Sequence, residues 1–189
     1  MQGDNNNINE MIERIGVFCS ANESLPDNVV KATEQLGEWI GRERKMLVYG
    51  GVSTGLMEVL AIAVKKNGGR TMGVVPDKFL QQGKASGQLD IEIPVVDLSD
   101  RKSVMMREAD IFVALPGGIG TLDEMFTVMA ASKVGEHRKQ VILFNPDGFW
   151  NGLLEVLRKM EEQGYIARGF SAHIAAPATM ADVIALLAG

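Results

Sequence analysis

The regular alternation of short apolar runs with longer amphipathic segments constrains this chain most. Arg14–Ser20 (RIGVFCS), Met46–Tyr49 (MLVY), Arg70–Val75, Ile111–Leu115 (IFVAL) and Val141–Phe144 read as buried strands. Ile91–Val96 reads as a further strand, weakened by Pro94. Between them lie helical patterns at Pro26–Glu43, Leu56–Lys66, Ser99–Glu108, Leu122–Lys133 and Phe149–Gln163, with a last short one at Met180–Leu187. In the first of these, Val29, Ala32, Leu36 and Ile40 form one stripe. Strands and helices that alternate in this way predict an α/β fold: a doubly wound parallel sheet with helices on both faces and right-handed crossovers.

Composition narrows the function classes. The 189 residues show no linker, which predicts a single domain over 1–189. A net charge of −5 argues against nucleic acid or an anionic membrane as partner, while leaving room for one local cationic pocket. The single cysteine, Cys19, can form no internal disulfide, and no metal-binding spacing is visible. No apolar run approaches the roughly 20 residues of a membrane helix. Met1–Glu10 is polar and asparagine-rich, without an apolar signal region, so a disordered start (residues 1–10) and a cytoplasmic location are expected. Pro76–Leu89 has little periodicity and is expected to be a mobile loop near the site.

Two strand-to-helix loops are rich in glycine. The first runs from Tyr49 through Gly50, Gly51 and Gly55 to Met57; the second is Pro116-Gly117-Gly118-Ile119-Gly120-Thr121-Leu122-Asp123-Glu124. Glycine permits positive φ and close approach of a ligand. A helix N-terminus adds unpaired amides and a partial positive charge. Each loop is therefore either a tight turn feeding a helix or a phosphate site, and the second is the better candidate. Neither matches a familiar nucleotide motif. In the second loop the third glycine of G-x-G-x-x-G falls on Asp123, and in the first Leu56 stands where a P-loop needs lysine. No dinucleotide or P-loop chemistry is predicted.

Two further readings stay open at this level. Thr121 and Glu124 have the spacing of a capping box, which would account for both without any chemistry. Arg101 and Lys102 open a helix near a candidate N-cap, Ser99, where basic charge opposes the helix dipole. They are either a solvated pair or partners for an anion.

The stretch Pro116–Glu124 matches in full the pattern PGGxGTxxE, and with it the chain resembles the LOG ("Lonely Guy") family of cytokinin riboside 5′-monophosphate phosphoribohydrolases, formerly often labelled lysine decarboxylases. The likeness extends to Val17-Phe18-Cys19-Ser20, Leu47–Gly51, Gly55-Leu56-Met57, Arg101-Lys102 with Met105, and Asn145–Trp150, covering roughly Arg14 to Ile166. The resemblance implies a Rossmann-like fold, a homodimer or larger homo-oligomer, no cofactor, and release of free base and ribose 5-phosphate from a nucleoside 5′-monophosphate. It implies catalytic roles for Arg101 and Glu124. It places Gly117, Gly118, Ile119, Gly120 and Thr121 around the phosphate, with Gly50, Gly51 and Lys102 in the same pocket. The chain departs from the pattern at Val52 and Glu58, where glycine is usual, at Leu98-Ser99, where Met-His is usual, and at Ala130-Ala131, where Thr-Trp is usual. These departures bear on the base, and an adenine nucleotide is expected to be preferred over a prenylated one.

Two rivals are weighed against this. A non-catalytic nucleotide or phospho-ligand carrier would use the same glycine loops. A pyridoxal-phosphate decarboxylase needs a Schiff-base lysine, and no lysine here has a context that singles it out. Cys19 reads as an inert strand residue, and His137 and His173 build no metal site. The helix holding Met125, Phe126, Val128 and Met129 is apolar nearly all round, which predicts burial and a dimer contact on one face.

Overall fold

The computed structural model describes residues 12–170 and 174–189. The expected disordered start and His173 lie outside the described residues. Six strands run β1 (Arg14–Phe18), β2 (Met46–Tyr49), β3 (Arg70–Pro76), β4 (Ile91–Val95), β5 (Ile111–Ala114) and β6 (Val141–Leu143). The helices are α1 (Asp27–Arg42), α2 (Gly55–Lys66), α3 (Asp77–Gln81), α4 (Leu98–Glu108), α5 (Ile119–Lys133), α6 (Asn151–Glu162) and α7 (Met180–Ala188). All strand pairs are parallel, in the order β4-β3-β2-β1-β5-β6.

Side-chain alternation along the strands sorts the core into two layers. Ile15, Val17, Leu47, Tyr49 and Val113 point to one face, where they pack with Leu36 and Ile40 of α1, Leu60 and Val64 of α2 and Val183 of α7. Phe18, Val48, Phe112 and Ala114 point to the other, against Val104 and Met105 of α4 and Met125 and Val128 of α5. Period-2 alternation within a strand that is apolar throughout forces this outcome, because both faces must be covered. Phe18 and Phe112 stack across β1 and β5 with ring centroids 5.0 Å apart, and Gly16 makes room for the ring: a Cβ there would lie 2.3 Å from Phe112. Pro94 is accommodated because β4 is an edge strand, where one face of the ladder needs no donor.

Three expectations are corrected. The segment after β3 is not a free loop. It begins with α3 and is then stitched to the first glycine loop, with Ser53 N donating to Lys84 O at 2.9 Å, Ser86 N donating to Gly51 O at 2.8 Å, and an antiparallel bridge between Val52 and Ala85. Helix α4 is capped by Asp97 and not by Ser99: the Asp97 carboxylate accepts from the amides of Ser99 and Asp100 at 2.8 and 2.9 Å. Arg101 and Lys102 therefore sit two residues further into the helix, where the dipole opposes them less. Finally, α5 begins at Ile119, three residues earlier than the apolar periodicity suggests, because glycines at its start carry no periodic signal.

Candidate active site

Strand order reverses at β1, so the loops after β1 and β5 diverge and open a crevice at the carboxyl edge of the sheet. A cavity of about 510 Å³ occupies it. The first glycine loop forms part of its wall. Gly51 and Gly55 adopt φ of +69° and +55°, and a Cβ on Gly55 would come within 2.5 Å of the Ala21 backbone. That close approach lets Leu56 N donate to Ser20 O at 3.1 Å, joining the loops after β1 and β2.

The second loop supplies a helix start that suits an anion. Gly118 is the N-cap of α5, no side chain caps the helix, and its first turn holds no acidic residue. The leading amides and the positive end of the dipole face the cavity beside Gly118, Gly120 and Thr121. Gly117 is required to be small for a local reason: a Cβ there would overlap Thr121 Oγ1 at 2.1 Å. Thr121 lies inside the helix and not at its cap, and Glu124 turns elsewhere, so the capping box does not form.

Glu124 turns to Arg101. The Arg101 Nη2 donates to Glu124 Oε1 at 2.5 Å, and the two side chains are only 13% and 10% exposed. This excludes the solvated-pair reading for Arg101. A Cβ on Gly50 would stand 3.1 Å from Met57 Sδ, a tight contact, and 3.4 Å from Arg101 Nη1, an ordinary one. The Arg101 Nε is buried without a hydrogen-bond partner. Burial pushes the Glu124 carboxyl above its ordinary value and outweighs the opposing Arg101 charge. Burial also pushes the Cys19 thiol up, with Glu124 adding to the effect and Arg101 opposing it.

Of the residues expected at a site, Gly50, Arg101, Gly118, Gly120, Thr121 and Glu124 line this one cavity. Four do not. Gly51 and Gly117 stand behind the lining as turn residues, the Ile119 side chain is 82% exposed, and the Lys102 ammonium is held by Asp123 at 2.7 and 2.8 Å. Cys19, read as a plain strand residue, lines the cavity, as do Ser20 and Asn22. Their position immediately after β1 was the available signal, because ligands bind at strand carboxyl ends. Phe79 and Lys84 also line it; nothing in their local pattern marks them, and only the stitching of their segment to the first glycine loop brings them there.

A Rossmann-like α/β protein with an anion-ready helix start and a buried ion pair in one cleft is the class defined by this fold and site. Residues 57–187 match the family profile described as "possible lysine decarboxylase". Two cytokinin riboside 5′-monophosphate phosphoribohydrolases of Arabidopsis thaliana, LOG7 and LOG5, are 40% and 36% identical over 156 and 162 residues. Those matches cover 82% and 84% of this chain and 71% and 70% of the relatives. The chain belongs to the LOG family. Among solved structures, the molybdenum cofactor binding protein from the phototrophic bacterium Rippkaea orientalis matches with a TM-score of 0.72 and 26% identity, over 93% of this chain and 95% of that one.

Proposed function

We propose that this protein hydrolyses the N-glycosidic bond of a nucleoside 5′-monophosphate, AMP or a cytokinin riboside 5′-monophosphate, releasing free base and ribose 5-phosphate. The observation that carries this reading is the buried Arg101–Glu124 pair beside the uncapped start of α5. The phosphate takes the amides at Gly118, Gly120 and Thr121, and its binding energy holds the sugar at the carboxylate. Cleavage builds positive charge on the ribose, as in glycoside hydrolysis. Glu124 stabilises that charge and accepts a proton from the attacking water as its oxygen bonds to the anomeric carbon. The bonding pair leaves with the base, which takes up a proton at nitrogen from solvent water, while Glu124 later returns its proton to solvent. Arg101 orients the carboxylate through the charge-assisted bond from Nη2 to Oε1. Gly50, Gly51, Gly117 and Ile119 shape the two loops, and Lys102 braces α4 on α5 through Asp123.

A phospho-ligand carrier is the rival, and the fold does not decide between them. A buried carboxylate disfavours an anionic ligand by charge repulsion, so a pure carrier gains nothing from Glu124, whereas a hydrolase needs it. The test is chromatographic detection of free base after incubation with AMP and with isopentenyladenosine monophosphate. Base released by the wild type and not by Glu124→Ala supports the enzyme; tight binding without release supports the carrier.

No helix among the described residues is long and apolar enough to cross a membrane. We infer a cytoplasmic homodimer with a nucleotide substrate and no nucleic-acid partner. The dimer reading is supported by α5, where Leu122, Phe126 and Met129 are only partly buried, next to Met106 of α4.

A further inference from the structure

The end of the cleft under the segment after β3 has features that phosphate binding and the ion pair do not use. In strand order, β5 and β3 are separated by β1 and β2. Three strand spacings place the two loops roughly 14 Å apart along the cleft. A nucleotide with its phosphate on α5 reaches toward that far end with its base. Phe79 and Lys84 line it, with the Lys84 ammonium 5.9 Å from the centre of the Phe79 ring. Arg101 and Lys84 are the two cations among the lining residues. Arg101 is paired with Glu124, while Lys84 has no carboxylate partner among the described residues.

The backbone of Lys84 is held firmly. Its carbonyl accepts from Ser53 N at 2.9 Å and from Ser53 Oγ at 3.2 Å, and its amide donates to Phe79 O at 3.0 Å. Two residues on, the Ser86 hydroxyl is buried and donates to Glu58 Oε2 at 2.6 Å, and Ser86 Oγ in turn accepts from Gln88 N at 3.1 Å. Glu58 stands on α2 where the LOG pattern carries glycine, which has no side chain to make this tie. No cation pairs with Glu58 among the described residues, so its hydrogen bond to Ser86 is the carboxylate's anchor.

We propose that Lys84 is a substrate-binding residue that sets base preference, and that Glu58 is the positioning residue that holds its segment through Ser86. This rests on the hydrolase reading above. An ammonium has three donors and no acceptor, so it favours a base that presents ring-nitrogen acceptors at that edge. A prenyl chain laid against it would strip its water and replace none of the hydrogen bonds. Unsubstituted purine nucleotides are therefore the preferred class.

The experiment is the ratio of kcat/KM for AMP over isopentenyladenosine monophosphate in the wild type, Lys84→Met, Glu58→Ala and Glu58→Gln. The ratio is expected to favour AMP in the wild type. It should fall at least tenfold in Lys84→Met, through KM with kcat held within about twofold. Glu58→Ala should shift it the same way and add little in combination with Lys84→Met, as coupled residues do. Glu58→Gln, which keeps an acceptor for Ser86, should restore it. Ser86→Ala removes the same bond from the other side, should Glu58→Ala fail to fold. A ratio within twofold of wild type in Lys84→Met overturns the assignment of Lys84. A Glu58→Ala protein with a lowered Tm and an unchanged ratio overturns the role of Glu58. If the wild type cleaves neither nucleotide, the hydrolase reading fails separately, and the calorimetric Kd ratio for the two nucleotides decides Lys84. An unchanged Kd ratio, or no binding of either nucleotide, overturns it.

Discussion

Arg101 Nη2 and Glu124 Oε1, on residues twenty-three apart in the chain, meet at 2.5 Å in the crevice beside the start of α5. Helix α4 brings the guanidinium and α5 the carboxylate, and each is nearly withdrawn from water. Removing either partner leaves the other charge buried and unpaired, which typically costs about 3–5 kcal/mol. Arg101→Ala should lower stability by that order in urea denaturation. Arg101→Lys should lose less stability but most of the activity, because the shorter, flexible ammonium does not hold the carboxylate in the direction that the rigid, planar guanidinium does.

Glu124→Ala and Glu124→Gln should both depress kcat/KM by about 10²–10⁴-fold, the usual range for a positioned acid–base group. Steady-state base release measures this. Activity within threefold of wild type in Glu124→Gln would remove Glu124 from the chemistry.

The raised pKa of Glu124 gives two pH signatures. The reaction uses the carboxylate, so kcat/KM should fall on acidification through a pKa above the ordinary 4.5. For stability the sign is opposite to that of a salt-bridged surface carboxylate. A folded pKa above the unfolded one means that the contribution of Glu124 is fully present below the unfolded pKa and is lost as pH rises through the folded one. Wild-type stability should therefore carry a downward slope with pH above 4.5 that Glu124→Gln lacks, read from denaturation midpoints in buffers across that range.

Three glycines of the second loop should separate folding from binding. In Gly117→Ala the new methyl overlaps Thr121 Oγ1 at 2.1 Å, so the start of α5 must shift, and overpacking of that kind costs about 1–3 kcal/mol. A Cβ on Gly118 or Gly120 meets nothing within 4 Å, yet both residues line the cavity. Gly118→Ala and Gly120→Ala should keep Tm within about 2 °C, on the order of half a kcal/mol for a domain this size, and raise KM at least tenfold. A KM unchanged in both would place the phosphate elsewhere.

Cys19 lines the cleft with its thiol pKa pushed up, and the thiolate is the reactive form. The native protein should resist iodoacetamide at neutral pH and react only once unfolded, and Cys19→Ser should keep its activity within a fewfold. Rapid labelling of the native protein would contradict the burial that raises the pKa.

The apolar flank of α5 is tested by light scattering. A dimer is expected, and Phe126→Glu should convert it to monomer while each chain stays folded. A wild-type monomer would remove the dimer reading.

Much of this architecture was legible in the chain itself. Apolar runs such as Met46–Tyr49 and Ile111–Ala114 dictate strands covered on both sides, and the stripe of Val29, Ala32, Leu36 and Ile40 dictates a helix laid on them. Pro116–Glu124 announced a phosphate-ready turn because glycine at a helix start is a local property of the backbone. Tertiary structure decided which of two possible partners, one local and one distant in sequence, a side chain takes. Glu124 could have reached back to the start of its own helix, and goes instead to Arg101, because α4 and α5 pack side by side under the switch point. The same holds for Phe79 and Lys84. Their sequence is without periodicity, and they reach the cleft only through their segment's bonds to Ser53 and Gly51, on the loop after the neighbouring strand β2. Local sequence specifies backbone conformation and burial period; which distant charges share one low-dielectric space is a property of the packed sheet.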